Sequence, residues 1–490
     1  MKRIYILFFG IALANFSIAQ NETDALRYSY LNYNGTARFV GLGGAMGALG
    51  ADMSAININP AGMGRYSRSD FSFTSDLTFA NAASNYNGSF SEGNKANFNI
   101  PNVGAVFAVP IDFNKASMWR YFQFGVSSSR TNDFHGESFT TGNHDNSMLL
   151  SYSNYLNDRN IKLDQVSDFY EGPAYDSYLL DYDEATEEWS PWYDTANANI
   201  DQANRVRTRG AQYQTDILFS GNYNGNLYIG GSIGFPRIRY NSKRTFSEKF
   251  NGDTVYDLED YTFEENISTN GNGINFKAGV IYLPVKSVRL GFAVHSPTWY
   301  SMNDQYNTTF NSNFTNNDFD SEFSSPEGSY DYRLKTPGRI IASAAFLFKK
   351  RGLISLEYEY VDYAGASLRS AFDVVDPYDF DLENTTVDEL YKGAGIIKAG
   401  AEFRVTNHWT VRGGYTYFGS PIKDEVSTVD RSRTNYSGGL GYKNKSFSLD
   451  LTFMRSEWQE ENYLYDPALV DRVTIDRSIN NFMVTAGFRF

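Results

Sequence analysis

Apolar and polar residues alternate with a period of two along much of the chain. In 446–453, Phe447, Leu449, Leu451 and Phe453 fall on one face and Ser446, Ser448, Asp450 and Thr452 on the other. In 396–405, Ile397, Ala399, Ala401, Phe403 and Val405 oppose Lys398, Gly400, Glu402 and Arg404. In 408–417, Trp409, Val411, Tyr415 and Tyr417 oppose His408, Thr410, Arg412 and Thr416, and 287–295 and 353–360 repeat the pattern. Such alternation marks half-buried strands. A polar face carrying full charges of both signs suits the lumen of a membrane-spanning barrel.

The pattern predicts about fourteen strands: 69–79, 102–109, 119–130, 211–221, 225–240, 274–284, 287–297, 338–349, 352–363, 394–405, 408–418, 434–443, 446–456 and 481–490. Short turns such as 222–225, 284–287, 349–352, 406–407 and 443–445 alternate with long connections at 80–101, 131–210, 241–273, 298–337, 364–393, 419–433 and 457–480. A soluble sandwich also alternates along its strands, but gives no reason for short and long connections to take turns. The fold expected is therefore all-β, a transmembrane antiparallel β-barrel over 69–490, with short periplasmic turns and long extracellular loops. The longest loop, 131–210, is too long for plain coil and is expected to carry helix or hairpin of its own. The last predicted strand runs to a terminal aromatic, Phe490, and resembles the sorting signal of outer-membrane barrels.

The first residues change the picture. Lys2-Arg3, an apolar run from 4 to 14, and small residues at Ser17 and Ala19 read as a signal peptide over 1–19, so the mature chain is exported. Residues 41–64, GLGGAMGALGADMSAININPAGMG, are long enough to span a bilayer as a helix but are wrong for one. Glycine is a poor helix former and Pro60 a breaker, and Asp52, Asn57 and Asn59 are costly in lipid. The third glycine of GLGGAMG falls one residue late for a dinucleotide loop, and no βαβ unit surrounds it. A compact small-residue segment between signal peptide and first strand reads as a plug, 20–68, entering the barrel from its periplasmic end.

Composition narrows the chemistry. With 36 Tyr, 38 Phe and only 13 Pro the chain suits β-structure, and a formal charge of −14 excludes a nucleic-acid partner. There is no cysteine and there are four histidines, so no cofactor, thiolate nucleophile or multi-histidine metal site is expected. Asp181, Asp183, Glu184, Glu187 and Glu188 lack the spacing of a calcium loop and read as a solvated surface. Ser232 sits in a G-x-S-x-G match, GGSIG, but its flanks continue as strand rather than turning into a helix, so no catalytic residue and no enzyme is expected. The glycines there are expected to leave room inside the barrel, and Pro236 to mark a bulge.

Residues 35–64, followed by SDFSFTSDLTF at 69–79, resemble the N-terminus of the FadL/TodX family of outer-membrane transporters for hydrophobic compounds. Asn59-Pro60-Ala61 matches the family's hatch motif, and LKTPGRIIASAAFLF at 334–348 resembles its Thr-Pro step into a later strand. The resemblance implies a fourteen-stranded barrel in the outer membrane of a Gram-negative bacterium. It implies a passive route for hydrophobic molecules such as long-chain fatty acids, captured by loops at 241–273 and 298–337. Gating by the hatch would fall on Asn59, Pro60, Ala61, Gly62 and Asp52, and lateral exit on a distorted third strand near Gly125. Lys277, Arg289, Lys398, Arg404, Arg412 and Arg489 face the predicted lumen and are candidate anchors for a carboxylate. Their alternative role is pairing with Glu357, Glu359, Glu402 and Asp450 to hold the interior. The partners expected are a hydrophobic small molecule and membrane lipid, with the protein a monomer. Competing readings are an adhesin acting through its acidic and aromatic loops, a haem importer and an outer-membrane lipid hydrolase.

Overall fold

The computed structural model describes residues 22–490 apart from 33, 112–116, 197, 252–256, 316–318, 350, 373–376 and 428. The predicted signal segment 1–19 lies outside the described residues. The chain forms a fourteen-stranded antiparallel barrel. Its strands are β1 (Asp70–Tyr86), β2 (Ser89–Pro110), β3 (Trp119–Asp133, continued by Gly136–His144), β4 (Ile200–Tyr223), β5 (Leu227–Phe250) and β6 (Leu258–Val285). They continue with β7 (Val288–His295 and Thr298–Phe314), β8 (Gly328–Thr336 and Arg339–Phe348) and β9 (Gly352–Asp362 and Ser367–Ser370). The ring is completed by β10 (Gly393–Arg404), β11 (Trp409–Phe418), β12 (Arg433–Lys443), β13 (Phe447–Asn462) and β14 (Val473–Arg489). Each strand pairs with the next in the chain, and β1 closes on β14 with Asp70 opposite Arg489.

The alternation does what its chemistry requires. Phe235, Phe276, Phe292, Leu451 and Phe482 point outward and are exposed, as a lipid-facing band must be. Their neighbours Ser232, Lys277, Asp450, Thr452 and Asn481 point inward and are buried.

All fourteen predicted strands are present, but several are much longer than the sequence pattern suggests. The expected connection 80–101 is a continuous hairpin that turns at Asn87-Gly88, both in the left-handed region (φ 50° and 79°). The expected capture loops 241–273 and 298–337 are mostly strand as well. The physical reason is visible on β5, where Arg237, Arg239, Asn241 and Lys243 occupy the outward positions above Phe235. Beyond the lipid band both faces are polar, so the apolar stripe that announces a strand disappears while the ladder continues.

Residues 131–210 do carry their own structure. After the β3 continuation come helix Met148–Asp158, helix Glu171–Asp176 and a hairpin of Leu180–Asp183 on Glu188–Pro191. Their aromatic side chains turn inward: Tyr152, Trp189 and Tyr193 pack with Phe246, Tyr261, Phe310 and Tyr465 over the barrel mouth. The acids of 178–194 sit on the outside of this cap, with Glu187 paired to Lys162.

The segment before β1 lies within the barrel. It consists of α1 (Glu22–Ser29), α2 (Ala37–Gly41), α3 (Ala55–Ile58) and a 3₁₀ turn at Pro60–Arg65. Small residues allow backbone to lie on backbone. Gly43 has φ 59°, and a Cβ there would meet the Tyr415 backbone at 2.7 Å. On the wall, a Cβ at Gly230 would meet the Pro60 carbonyl at 2.5 Å, so this first glycine of GGSIG makes room for the inner segment, whereas Gly234 faces the wall side chains Asn275, Gln214 and Asp216. Pro236 sits where β5–β6 pairing lapses between Gly234/Asn275 and Arg237/Asn272.

Gly43→Ala combines left-handed strain with this contact and is expected to cost about 1–3 kcal/mol. Urea titration of the purified protein checks it; an unchanged midpoint would show that the inner segment is not seated on β11.

Candidate functional site

The lumen is built in layers. Beneath the cap, α1 packs through Ala25 and Tyr28 into an apolar layer with Tyr240, Tyr300, Met302, Tyr332 and Leu368. Below it Phe39, Val40, Leu42, Met46 and Leu49 pack against Ala293, Ile341, Met454 and Met483 of the wall. At the short-turn end Met53, Ile56, Met63 and Tyr66 meet Val106 and Leu218.

Hydrogen bonds fix the inner segment at many points along its length. Asn59 caps the 3₁₀ turn by accepting from the Ala61 amide (3.1 Å), while its Nδ2 donates to the Gly47 carbonyl (2.9 Å) and the Val280 carbonyl of β6 (3.1 Å). Pro60 occupies the first position of that turn, where its missing N–H is no loss. The Gly62 carbonyl accepts from the Ala51 amide (3.0 Å). Asp52 ties two stretches together, accepting from the Thr36 hydroxyl (2.8 Å) and the Ser54 amide (2.9 Å).

A charge network on β8, β9 and β10 makes the deepest attachment. Lys398, fully buried, donates to Glu357 and Glu359, both at 2.9 Å. Glu357 also accepts from the Gly47 amide at 2.7 Å. Arg339 bonds Glu359 (2.7 Å) and donates to the Ser29 carbonyl of α1 (2.7 Å). Two cations balance two carboxylates, and the ends of the chain hold inner-segment backbone. A buried charge set is tolerable only with such pairing.

The structure places the remaining candidate anchors differently. Lys277 pairs with Asp216 (3.1 Å), toward which Ser232 also points. Arg412 bridges Glu402 (2.7 Å) and Asp450 (2.5 Å), and Arg38 of α2 joins at Glu402 (3.1 Å). Arg489 pairs with Asp70 (3.0 Å). Arg289 donates to the Leu49 carbonyl (3.1 Å), whereas Arg404 is exposed at the end of β10. Sequence reasoning missed Arg339, Asp216 and Arg38; Arg339 and Arg38 lie inside the two stretches that carry the family resemblance. A cavity of about 60 Å³ lies between α1 and the wall, lined by Tyr28, Phe39, Lys277, His295 and Arg339 among others. His295 contacts the Ile58 carbonyl and His408 the Lys443 carbonyl, so neither stands beside Ser232. Among the described residues no group of three or more His, Asp or Glu is placed to hold a metal.

A sequence profile of the outer membrane protein transport protein family (OMPP1/FadL/TodX) matches residues 206–479, more than half of the chain. The chain belongs to this family. It is an outer-membrane channel for the uptake of hydrophobic molecules, in the outer membrane of a Gram-negative bacterium. The fold is similar to that of a Pseudomonas aeruginosa FadL homologue, with a TM-score of 0.59 at 14% identity over 94% of this chain and 100% of the other. It is also similar to the P. putida toluene transporter TodX, with a TM-score of 0.56 at 12% identity over 94% and 99% of the two chains. No curated protein sequence matches the chain. The profile begins after the Asn59-Pro60-Ala61 motif, so it supports the family independently of that motif.

One expectation drawn from the family fails here. Around Gly125, β3 is paired without a break on both sides, with Val106 on β2 and Leu218 on β4. A Cβ at Gly125 would meet the Ala105 carbonyl at 2.8 Å and Met63 Sδ at 3.0 Å, so this glycine serves close packing. The register shifts of β3 lie nearer its ends, at Trp119/Tyr121 and Arg130/Asn132.

Two tests follow from these contacts. Lys398→Met leaves buried Glu357 without its cation and is expected to cost about 3–5 kcal/mol, while exposed Arg404→Ala stays within about 0.5 kcal/mol; urea midpoints compare them. In the cap, burial raises the Glu171 carboxyl from its ordinary 4.5 to about 7. The folded cap therefore holds this proton above the pH at which the unfolded chain releases it. Its contribution is complete below pH 4.5 and is lost as pH rises through 7. Hydrogen exchange over 148–193, corrected for intrinsic rates, is expected to be slower at pH 5.5 than at pH 8. Glu171→Gln should reduce the difference.

Proposed function

We propose that residues 22–68 act as a hatch whose displacement from the wall admits a hydrophobic cargo, such as a long-chain fatty acid, without an energy source. The carrying observation is how the segment is held. Its backbone rests on wall glycines and is joined to the wall by side-chain hydrogen bonds, at Asn59, Gly47 and Ser29 among others, which can be released without breaking the barrel ladder. Asn59-Pro60-Ala61 and Gly62 form the turn that locks its lower end. The apolar layer that Tyr28 of the hatch forms with Tyr240, Tyr300, Met302 and Tyr332 of the wall offers the surface a greasy solute requires.

The lumen cations serve the wall in this reading. Lys277, Lys398 and Arg412 are committed to carboxylates, so they hold the interior rather than wait for a ligand head. The inward packing of Tyr152, Trp189 and Tyr193 likewise favours a cap over the channel mouth above a partner-binding adhesin surface. One chain closes the ring, and we take the working unit to be the monomer.

Asn59→Ala removes the contacts to Gly47, Val280 and Ala61. Only the Val280 bond joins hatch to wall, so at about 0.5–1.5 kcal/mol for a hydrogen bond, hatch release should become easier by about two- to tenfold. Uptake of a fluorescent fatty acid into reconstituted vesicles measures this. Faster uptake with an unchanged barrel is expected; unchanged uptake would remove the hatch from the route.

A further inference from the structure

Beneath the hatch, at the short-turn end of the barrel, lies an open chamber of about 680 Å³. The hatch residues Leu49–Met53 line it together with the ends of β1, β10, β12 and β14. Its charge differs sharply from that of the whole acidic chain. The four carboxylates on its wall, Asp52, Asp70, Glu402 and Asp450, are all engaged internally, with Thr36 and Ser54, Arg489, Arg38 and Arg412 respectively, Arg412 also reaching Glu402.

Six further cations line the same space: Arg65, Arg68, Arg289, Arg404, Lys443 and Lys445. None of them has a carboxylate partner among the described residues. Arg65 lies over the Tyr228 ring (4.9 Å to its centroid) and bonds the Tyr228 hydroxyl (2.7 Å), and Arg289 donates only to the Leu49 carbonyl. The Nε atoms of both guanidiniums are buried with no hydrogen-bond partner. Buried donors without acceptors are costly and uncommon in folded proteins. Uncompensated charge of one sign in a walled cleft focuses its field on incoming counter-ions.

We infer that this chamber is an oxyanion-receiving site, which takes the carboxylate or phosphate head of an acyl amphiphile on the periplasmic side of the hatch. The inference rests on the channel reading for the source of its ligand, and on the chamber's own charge for the chemistry. It separates two tasks. The apolar layers between hatch and wall handle the tail, and the basic chamber below handles the head.

The test uses the full-length protein in nonionic detergent, titrated calorimetrically at pH 8 with laurate, dodecanol and inorganic phosphate. Laurate is expected to bind saturably and about tenfold more tightly than dodecanol, with the advantage shrinking as salt is raised. The exposed-side variant Arg68→Gln/Arg404→Gln/Lys445→Gln and the inner variant Arg65→Gln/Arg289→Gln should each weaken laurate by about tenfold and leave dodecanol unchanged. The first variant alters only exposed side chains and keeps the test valid if the second fails to fold. Phosphate that displaces laurate and is weakened by the same variants would support the site and assign it a free anion as well. Phosphate binding without binding of either amphiphile would support the chamber and overturn the channel reading. Equal binding of laurate and dodecanol, or laurate binding indifferent to the variants, would overturn the chamber while leaving the channel. Failure of all three to bind would overturn both.

Discussion

The interior of this barrel depends on burying Lys398 between Glu357 and Glu359. A lumen filled by protein rather than water cannot carry isolated charges, yet an inward face of an outer-membrane strand is polar by construction. Pairing across β8, β9 and β10 resolves the conflict: Arg339 completes the set, and the remaining acceptor and donor capacity is satisfied by the Gly47 amide and the Ser29 carbonyl. The wall's charges balance among themselves, and the inner segment completes their hydrogen bonding. Wall and inner segment are coupled through the same four side chains, which anchors the segment without making it part of the sheet.

Glycine supplies the complementary constraint. Gly43 on the hatch and Gly230 on the wall face backbone at distances that a Cβ would violate. The inner segment is held by backbone proximity, by more than a dozen polar bonds to the wall, and by apolar side chains such as Tyr28, Phe39, Met46 and Met63 packed against it. Below it the character changes to a basic chamber, so the axis of the barrel runs from an aromatic cap through apolar layers to a cationic exit.

Much of this was legible in the sequence, and the limits have physical causes. The strands were visible where lipid demands an apolar outer face, as at Leu449, Leu451 and Phe453. They vanished from view at 241–273 and 80–101, where the ladder continues into water and nothing in the side chains distinguishes strand from loop. The small-residue segment 41–64 announced a buried, irregular insert, and its Asn59-Pro60-Ala61 turn is the capped 3₁₀ start that those residue types favour. The lumen facing of Lys398 and Arg412 followed from alternation, and their acidic neighbours on adjacent strands were among the residues considered. Their exact partners depended on register between strands, which a single sequence does not encode locally. Asp216 for Lys277 and Arg339 for Glu359 belong to that class. The family's distorted third strand was carried over by analogy at Gly125, and there the packing of Met63 against β3 determined a different outcome.

The central claim is that the hatch must move for cargo to pass. Gly47 and Ser343 offer a direct means of arresting it, because a Cβ at Gly47 would lie 3.4 Å from Ser343 Cβ, close to the separation a disulfide spans. The chain has no cysteine of its own, so Gly47→Cys/Ser343→Cys would introduce a single addressable pair. Uptake of a fluorescent fatty acid into vesicles would be measured with the pair oxidised and again after reduction. Movement of the hatch predicts uptake blocked in the oxidised protein and restored by reductant. Equal uptake in the two states, with the crosslink verified by mass spectrometry, would contradict it.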